Sequence, residues 1–238
     1  MTIWRLGDLP VAGYEAEGCW YDVEPLDGDL RNAGLADPSV DIGKWPIVST
    51  EIWQSGRPID TESLPKSLLI RLGPGMPKGE ATPVRDYMKV GTGAQLCSQK
   101  FVEVVNKFDP GVHQFEKVSI QVEAGNIARN DFYWFAPGNR IFALDPSKTR
   151  PPMVPYKTGP GWHNPHDDRP AMRMDKRQSS STWEPAFFRN KIGERHLFCD
   201  GEFGGFIFMS DELKRSIEDS GLIGVGPALR FGGPFLSE

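Results

Sequence analysis

Two short apolar runs in this chain end in a serine, and in both cases an amphipathic segment follows that closes on a Gly before another apolar run begins. The copies start at Leu96-Cys97-Ser98 and Phe208-Met209-Ser210. A serine at this point supplies an oxygen to a free amide of the first helical turn, and Asp211 and Glu212 put negative charge where the helix dipole favours it. Leu213 and Ile217 then share one face, and in the first copy Phe101, Val104, Val105 and Phe108 form the apolar stripe. Asp109-Pro110-Gly111 and Ser220-Gly221 supply the stop signals. The pattern predicts a strand, helix, strand module used twice, with its two serines 112 positions apart. Such a module is a scaffold; it carries no nucleophile, base or phosphate loop.

At 238 residues with 39% hydrophobic content, the chain suits one large or two small domains with a real core. A net charge of −5 and a pI near 5.5 exclude a dedicated nucleic-acid binder, which needs a basic patch. No run approaches the roughly 20 apolar residues that cross a bilayer. The opening Met1-Thr2-Ile3-Trp4-Arg5-Leu6-Gly7-Asp8 lacks a basic region followed by an apolar one, so no membrane association and a cytoplasmic location are expected. Cys19, Cys97 and Cys199 form no CxxC pair, and two of them sit inside apolar runs, as reduced, buried thiols do.

Charge is unevenly spread. Through Leu64 there are twelve acidic residues against four basic, a net of −8, and the remainder of the chain is net +3. Glu15, Glu17, Asp22, Glu24, Asp27 and Asp29 surround Cys19-Trp20-Tyr21, so aromatic surface lies in a negative field. That combination suits a basic protein partner. The competing reading is a solvated strand edge over buried aromatics.

Along the chain, strands are expected at about Glu17 to Glu24, Trp45 to Trp53, Leu68 to Leu72 and Glu116 to Glu123, the last with Val118, Ile120 and Val122 alternating with polar residues. Gly73 to Gly93 is heavily punctuated by Gly and Pro and reads as a loop. Phe132 to Phe135 and Ile141 to Leu144, joined by Pro137-Gly138-Asn139-Arg140, read as a hairpin. From Asp145 to Pro185 eight prolines and the run Gln178-Ser179-Ser180-Ser181-Thr182 mark a long irregular excursion, a second candidate contact surface. Regular structure resumes at Phe187-Phe188 and continues to a closing run near Phe231. The expected fold is α+β, mostly antiparallel sheet, with two short Ser-capped helices and a long Pro-rich loop.

The strongest chemical candidate is His163-Asn164-Pro165-His166-Asp167-Asp168, a group of two imidazoles and two carboxylates that would make His163, His166 and Asp168 the core of a metal-dependent hydrolase. Its geometry argues against it, because two histidines separated by two residues, one of them proline, cannot share a helix face as zinc-helix histidines do. A polar turn in a Pro-rich loop is the simpler reading, and no metal or other cofactor is expected. His113 and His196 sit after a helix stop and in an apolar run, where structural roles are expected. There is no Gly-x-Ser-x-Gly elbow and no phosphate loop, and Gly91-Thr92-Gly93 lacks a third glycine at dinucleotide spacing.

The order Trp53-Gln54-Ser55-Gly56-Arg57-Pro58-Ile59, Leu69-Ile70-Arg71-Leu72, Asp86-Tyr87, Leu96-Cys97-Ser98-Gln99-Lys100-Phe101, Phe132-Tyr133-Trp134, Leu144-Asp145-Pro146-Ser147, Phe208-Met209-Ser210-Asp211-Glu212-Leu213-Lys214 and Gly221-Leu222-Ile223-Gly224 resembles immunity protein family eleven of bacterial polymorphic toxin systems. The resemblance runs from about Ile52 to Val225. It implies a cytoplasmic antitoxin that binds and blocks a cognate toxin without catalysis, and it supplies no catalytic residues. On this reading residues 1–65 are an acidic segment packed on the main domain, and 66–238 are the immunity-family domain with its Pro-rich excursion at 146–185. The expected toxin-contacting residues are Glu15, Glu17, Trp20, Tyr21, Asp22, Glu24, Asp27 and Asp29, with Trp162 in the excursion. An adaptor subunit of a secretion apparatus would show the same acidic, aromatic segment, and genomic neighbourhood separates the two.

Overall fold

Alternation of buried and solvent-facing residues sets the first sheet. In the strand Gln114–Val122, Val118, Ile120 and Val122 are buried while Lys117 and Gln121 are exposed, the period of two of a half-buried strand. The computed structural model describes residues 2–8, 21–28, 53, 56, 58–76, 84–90, 93–123, 127–145, 147–149, 153–155, 172–174, 185–201, 206–227 and 235–236. Within these, the strands are β1 (Thr2–Asp8), β2 (Tyr21–Pro25), β3 (Ser67–Leu72), β4 (Tyr87–Val90), β5 (Ala94–Ser98), β6 (Gln114–Val122), β7 (Ile127–Ala136), β8 (Arg140–Ile141), β9 (Met153–Pro155), β10 (Met172–Met174), β11 (Leu197–Asp200), β12 (Ile207–Ser210), β13 (Val225–Pro227) and β14 (Phe235–Leu236). The helices are α1 (Gln99–Asn106), the one-turn α2 (Arg189–Ile192) and α3 (Asp211–Asp219). The protein is thus mixed α+β, mostly sheet with a few short helices.

One sheet has the order β2-β3-β6-β7-β5-β4, and a second runs β13-β1-β12-β11-β8, with β14 also on β1. Pairing is antiparallel except for β3 with β6 and β8 with β11. Three apolar clusters alternate with the two sheets. Trp53, Leu68, Ile70, Ile120 and Trp134 lie on one side of the first sheet. Its other side, at the β4–β5–β7 end, meets the helices and the second sheet through Tyr87, Cys97, Phe101, Phe135, Leu197, Met209, Leu213 and Ile217. Beyond the second sheet lie Ile3, Phe187, Phe198 and Phe208. All residues of β5, β11 and β12 are buried, since each strand is covered on both faces, and this explains the adjacent apolar residues Leu96-Cys97, Leu197-Phe198-Cys199 and Ile207-Phe208-Met209.

Both capping serines sit in extended backbone, at φ −78°, ψ 162° for Ser98 and φ −70°, ψ 163° for Ser210. Ser98 Oγ accepts from Phe101 N at 3.3 Å and Ser210 Oγ accepts from Leu213 N at 3.1 Å. Gly221, at φ 63°, takes the left-handed conformation just past α3. The first helix stops earlier than its stripe suggests, at Asn106, and leaves Phe108 half-buried in the following turn. The two helices contact each other.

Several sequence expectations are corrected. Phe132–Phe135 and Ile141–Leu144 do not form a hairpin. Both edges of β7 are occupied, by β6 and β5, so the chain crosses at Pro137-Gly138-Asn139 and β8 pairs in parallel with β11 of the second sheet. The punctuated 73–93 stretch contains a strand, β4, which completes the edge beside β5. Trp53, the described residue of the expected run Trp45 to Trp53, is helical; the others lie outside the described residues. β1 had no sequence signal beyond Ile3 and Leu6, yet it lies between β12 on one edge and β13 and β14 on the other. The Pro-rich excursion contains the antiparallel pair β9–β10; most of its remainder lies outside the described residues.

Candidate functional site

β2 and the turn after it bring four of the expected contact residues, Tyr21, Asp22, Glu24 and Asp27, together at one end of the first sheet. Asp27 Oδ1 accepts from Lys66 N at 3.0 Å and Ser67 N at 2.9 Å, so this carboxylate ties the turn to the start of β3. Glu24 is half-buried and engaged: its two oxygens accept from Arg71 Nε at 2.7 Å and Nη2 at 2.8 Å. Arg71 Nη1 donates to Glu123 at 2.9 Å. The hydrogen bond from Arg71 holds the Glu24 carboxyl below the usual carboxylate range, and the same pairing raises the guanidinium. Asp22 is exposed and lies opposite Arg71 across the strand pair. Tyr21 opens β2. Glu15, Glu17, Trp20, Asp29 and Trp162 lie outside the described residues, as do His163, His166 and Asp168.

A second polar set, at the junction of the two sheets, was read from the sequence as helix stops and structural histidines. Asp109 lies in the turn after α1 and is 5% exposed. It accepts from His196 N at 3.2 Å and Leu197 N at 2.8 Å, which anchors the start of β11. His113 Nε2 is 3.4 Å from the same carboxylate. Gly138 N donates to His113 Nδ1 at 3.0 Å, which leaves Nε2 as the protonated nitrogen facing Asp109. Gly138 is required for this approach, because a Cβ there would overlap the Val112 carbonyl oxygen. Burial alone would raise the Asp109 carboxyl; hydrogen bonds from His113, His196 and Leu197 outweigh it and hold the group below its ordinary value.

The turn after α3 makes the reciprocal connection. Ile223 N donates to Asp86 Oδ2 at 2.6 Å and Asp86 N donates to Ile223 O at 2.7 Å, at the start of β4. Asp86 and His196, the residues before β4 and β11, also reach the two capping serines. Ser98 Oγ donates to Asp86 Oδ1 at 2.5 Å, and His196 Nδ1 lies 2.8 Å from Ser210 Oγ. Each helix exit therefore bonds to the strand start of the other hairpin. The spacing from Asp86 to Ser98 and from His196 to Ser210, similar in the two copies, was the available sequence signal.

Ser210, His196 and Asp109 are a serine, a histidine and an aspartate in proximity, but they are not arranged for acyl transfer. Asp109 meets the imidazole of His113 and only the backbone N–H of His196. Ser210 is 1% exposed, with its oxygen committed to the helix cap. A nucleophile needs both access and an oriented base. Among the described residues, no group of three or more His, Cys, Asp or Glu is placed to hold a metal ion.

Residues 43–228 match the model of the immunity protein family Imm11. The chain belongs to this family. The Imm11 match contains β3 to β13, both Ser-capped helices and the whole Asp86–Asp109–His113–His196 junction; β1, β2 and the acidic residues from Glu15 to Asp29 precede it. Curated proteins provide no match to this sequence. Among the described residues no helix is long and apolar enough to cross a membrane.

Proposed function

We propose that this chain is a cytoplasmic antitoxin that binds one cognate bacterial toxin and neutralises it by occluding its functional surface, with no bond made or broken by the antitoxin. Membership of the Imm11 family carries this reading. The physical layout agrees with it. The buried Asp109 carboxylate at the junction and the doubly covered strands give a stiff frame, and a stiff frame limits the ordering cost of binding. The acidic stretch Glu15, Glu17, Trp20, Tyr21, Asp22, Glu24, Asp27 and Asp29 is the contact surface in this proposal, with Trp162 as a secondary contact. Charge gives fast association and rejection of wrong partners, while aromatic side chains concentrate binding energy. The central place of β1 in the second sheet supports the packing of residues 1–65 against the rest of the chain.

The test is co-expression with the toxin encoded beside the gene. Cells carrying both are expected to grow, and the two proteins are expected to co-purify as a complex. Cell death in the presence of well-expressed, soluble protein refutes the proposal.

A further inference from the structure

Among the described residues, β2 is the end strand of its sheet, paired with β3 on one side only. The bond from Leu26 N to Ser67 O, at 2.9 Å, sets the phase of that pairing. In an antiparallel pair the residues that exchange bonds alternate with residues whose backbone groups point away. Asp22 and Glu24 therefore turn their N–H and C=O groups toward β3, and Tyr21, Val23 and Pro25 turn theirs outward. Proline has no N–H and is tolerated in a strand only where that group would face outward, so Pro25 agrees with this phase. The outer edge offers the N–H and C=O of Tyr21 and Val23. Asp22 is exposed on the solvent-facing side and, among the described residues, makes no side-chain hydrogen bond or ion pair; the guanidinium opposite it is spent on Glu24 and Glu123. Leu26, 48% exposed, stands at the end of the strand.

Resting on the antitoxin reading, we infer that the outer edge of β2 is where the toxin docks, through an extended segment of its own that alternates basic with apolar residues. An added strand takes main-chain bonds from Tyr21 and Val23. Its residue opposite Asp22 meets an exposed carboxylate, so lysine or arginine is favoured there and an acid is repelled; Glu24 is already held by Arg71. Its intervening residues fall on the side of Val23, which packs against the first core cluster, so they are apolar. A second copy of β2 would set acid against acid, and the same charges that admit a basic strand deter self-pairing of this edge. The net charge of −8 through Leu64 draws such a segment in.

The experiment uses the full chain and the toxin domain encoded beside its gene. On complex formation, amide hydrogen exchange at Tyr21 and Val23 is expected to slow by about tenfold or more. Asp22→Lys is expected to weaken the complex by about tenfold, chiefly through slower association, with a shallower dependence on salt than the wild type. Val23→Pro removes an outward N–H without touching the β3 ladder and is expected to weaken binding similarly. Asp22 is exposed, so its variant keeps the test decisive if Val23→Pro misfolds. Wild-type binding with exchange at Tyr21 and Val23 unchanged, and with Asp22→Lys within about twofold of wild type, overturns the docking edge while the antitoxin reading stands. Failure of the wild type to bind or protect overturns both.

Discussion

Replacing Asp109 by alanine removes the acceptor for two backbone N–H groups, those of His196 and Leu197, together with the contact to His113. The site is 5% exposed, so solvent does not readily take the carboxylate's place. Each buried donor left without an acceptor costs about 1–3 kcal/mol, so the two backbone donors give about 2–6 kcal/mol for Asp109→Ala. That is a large share of a typical domain stability of about 5–15 kcal/mol. Asp109→Asn keeps one acceptor oxygen and is expected to cost about 1–2 kcal/mol. Urea unfolding followed by tryptophan fluorescence measures both, and the midpoint is expected to fall with an unchanged slope. The pH dependence supplies an independent check. Hydrogen bonds hold the folded carboxyl below its ordinary value, so its stabilisation is complete above the unfolded value of about 3.9 and is lost as pH falls through the lower folded value. The gap between wild type and Asp109→Asn is expected to close on acidification below about pH 4. A cost under about 0.5 kcal/mol for Asp109→Ala, the level of an ordinary surface change, refutes the junction argument.

Leu213 is fully buried on α3, and Leu213→Ala is expected to cost about 2–5 kcal/mol in the same urea assay. Ser210→Ala removes a helix cap worth about 0.5–2 kcal/mol together with the contact to His196; Ser98→Ala is expected to cost more, because its second bond is donated to the Asp86 carboxylate rather than shared with an imidazole, and equal losses would count against that difference. Burial pushes the Cys97 and Cys199 thiols above their ordinary range, so in a Cys19→Ser background a chromogenic thiol reagent is expected to react only after denaturation. Rapid labelling of the native protein would place these residues at the surface.

Local features were legible because their physics is local. Ser98 and Ser210 cap helices by bonding to amides three residues away, and the alternation in Val118, Ile120 and Val122 follows from the pleat of a single strand. Both can be read from a few neighbouring side chains. The immunity protein family was legible from the order of such motifs, and the match over residues 43–228 contains that resemblance. β4 was hidden because four residues between Gly and Pro clusters carry too little periodicity to stand out; its strand character comes from β5 beside it. The false hairpin arose from treating two adjacent apolar runs as partners, when β5 and β6 had already taken both edges of β7.

By itself, then, the chain determined its helix starts, its strand faces, the acidity of its first quarter and its family. Tertiary structure alone decided which strands meet and which carboxylates are engaged by a cation. Glu24 and Asp22 are two residues apart and equally acidic in sequence, yet Arg71 engages one and leaves the other exposed. Asp109 reads as a helix stop until it is seen holding His196, 87 positions away. Such pairings depend on register and on competition for an edge, and these are set only when distant segments fold against each other.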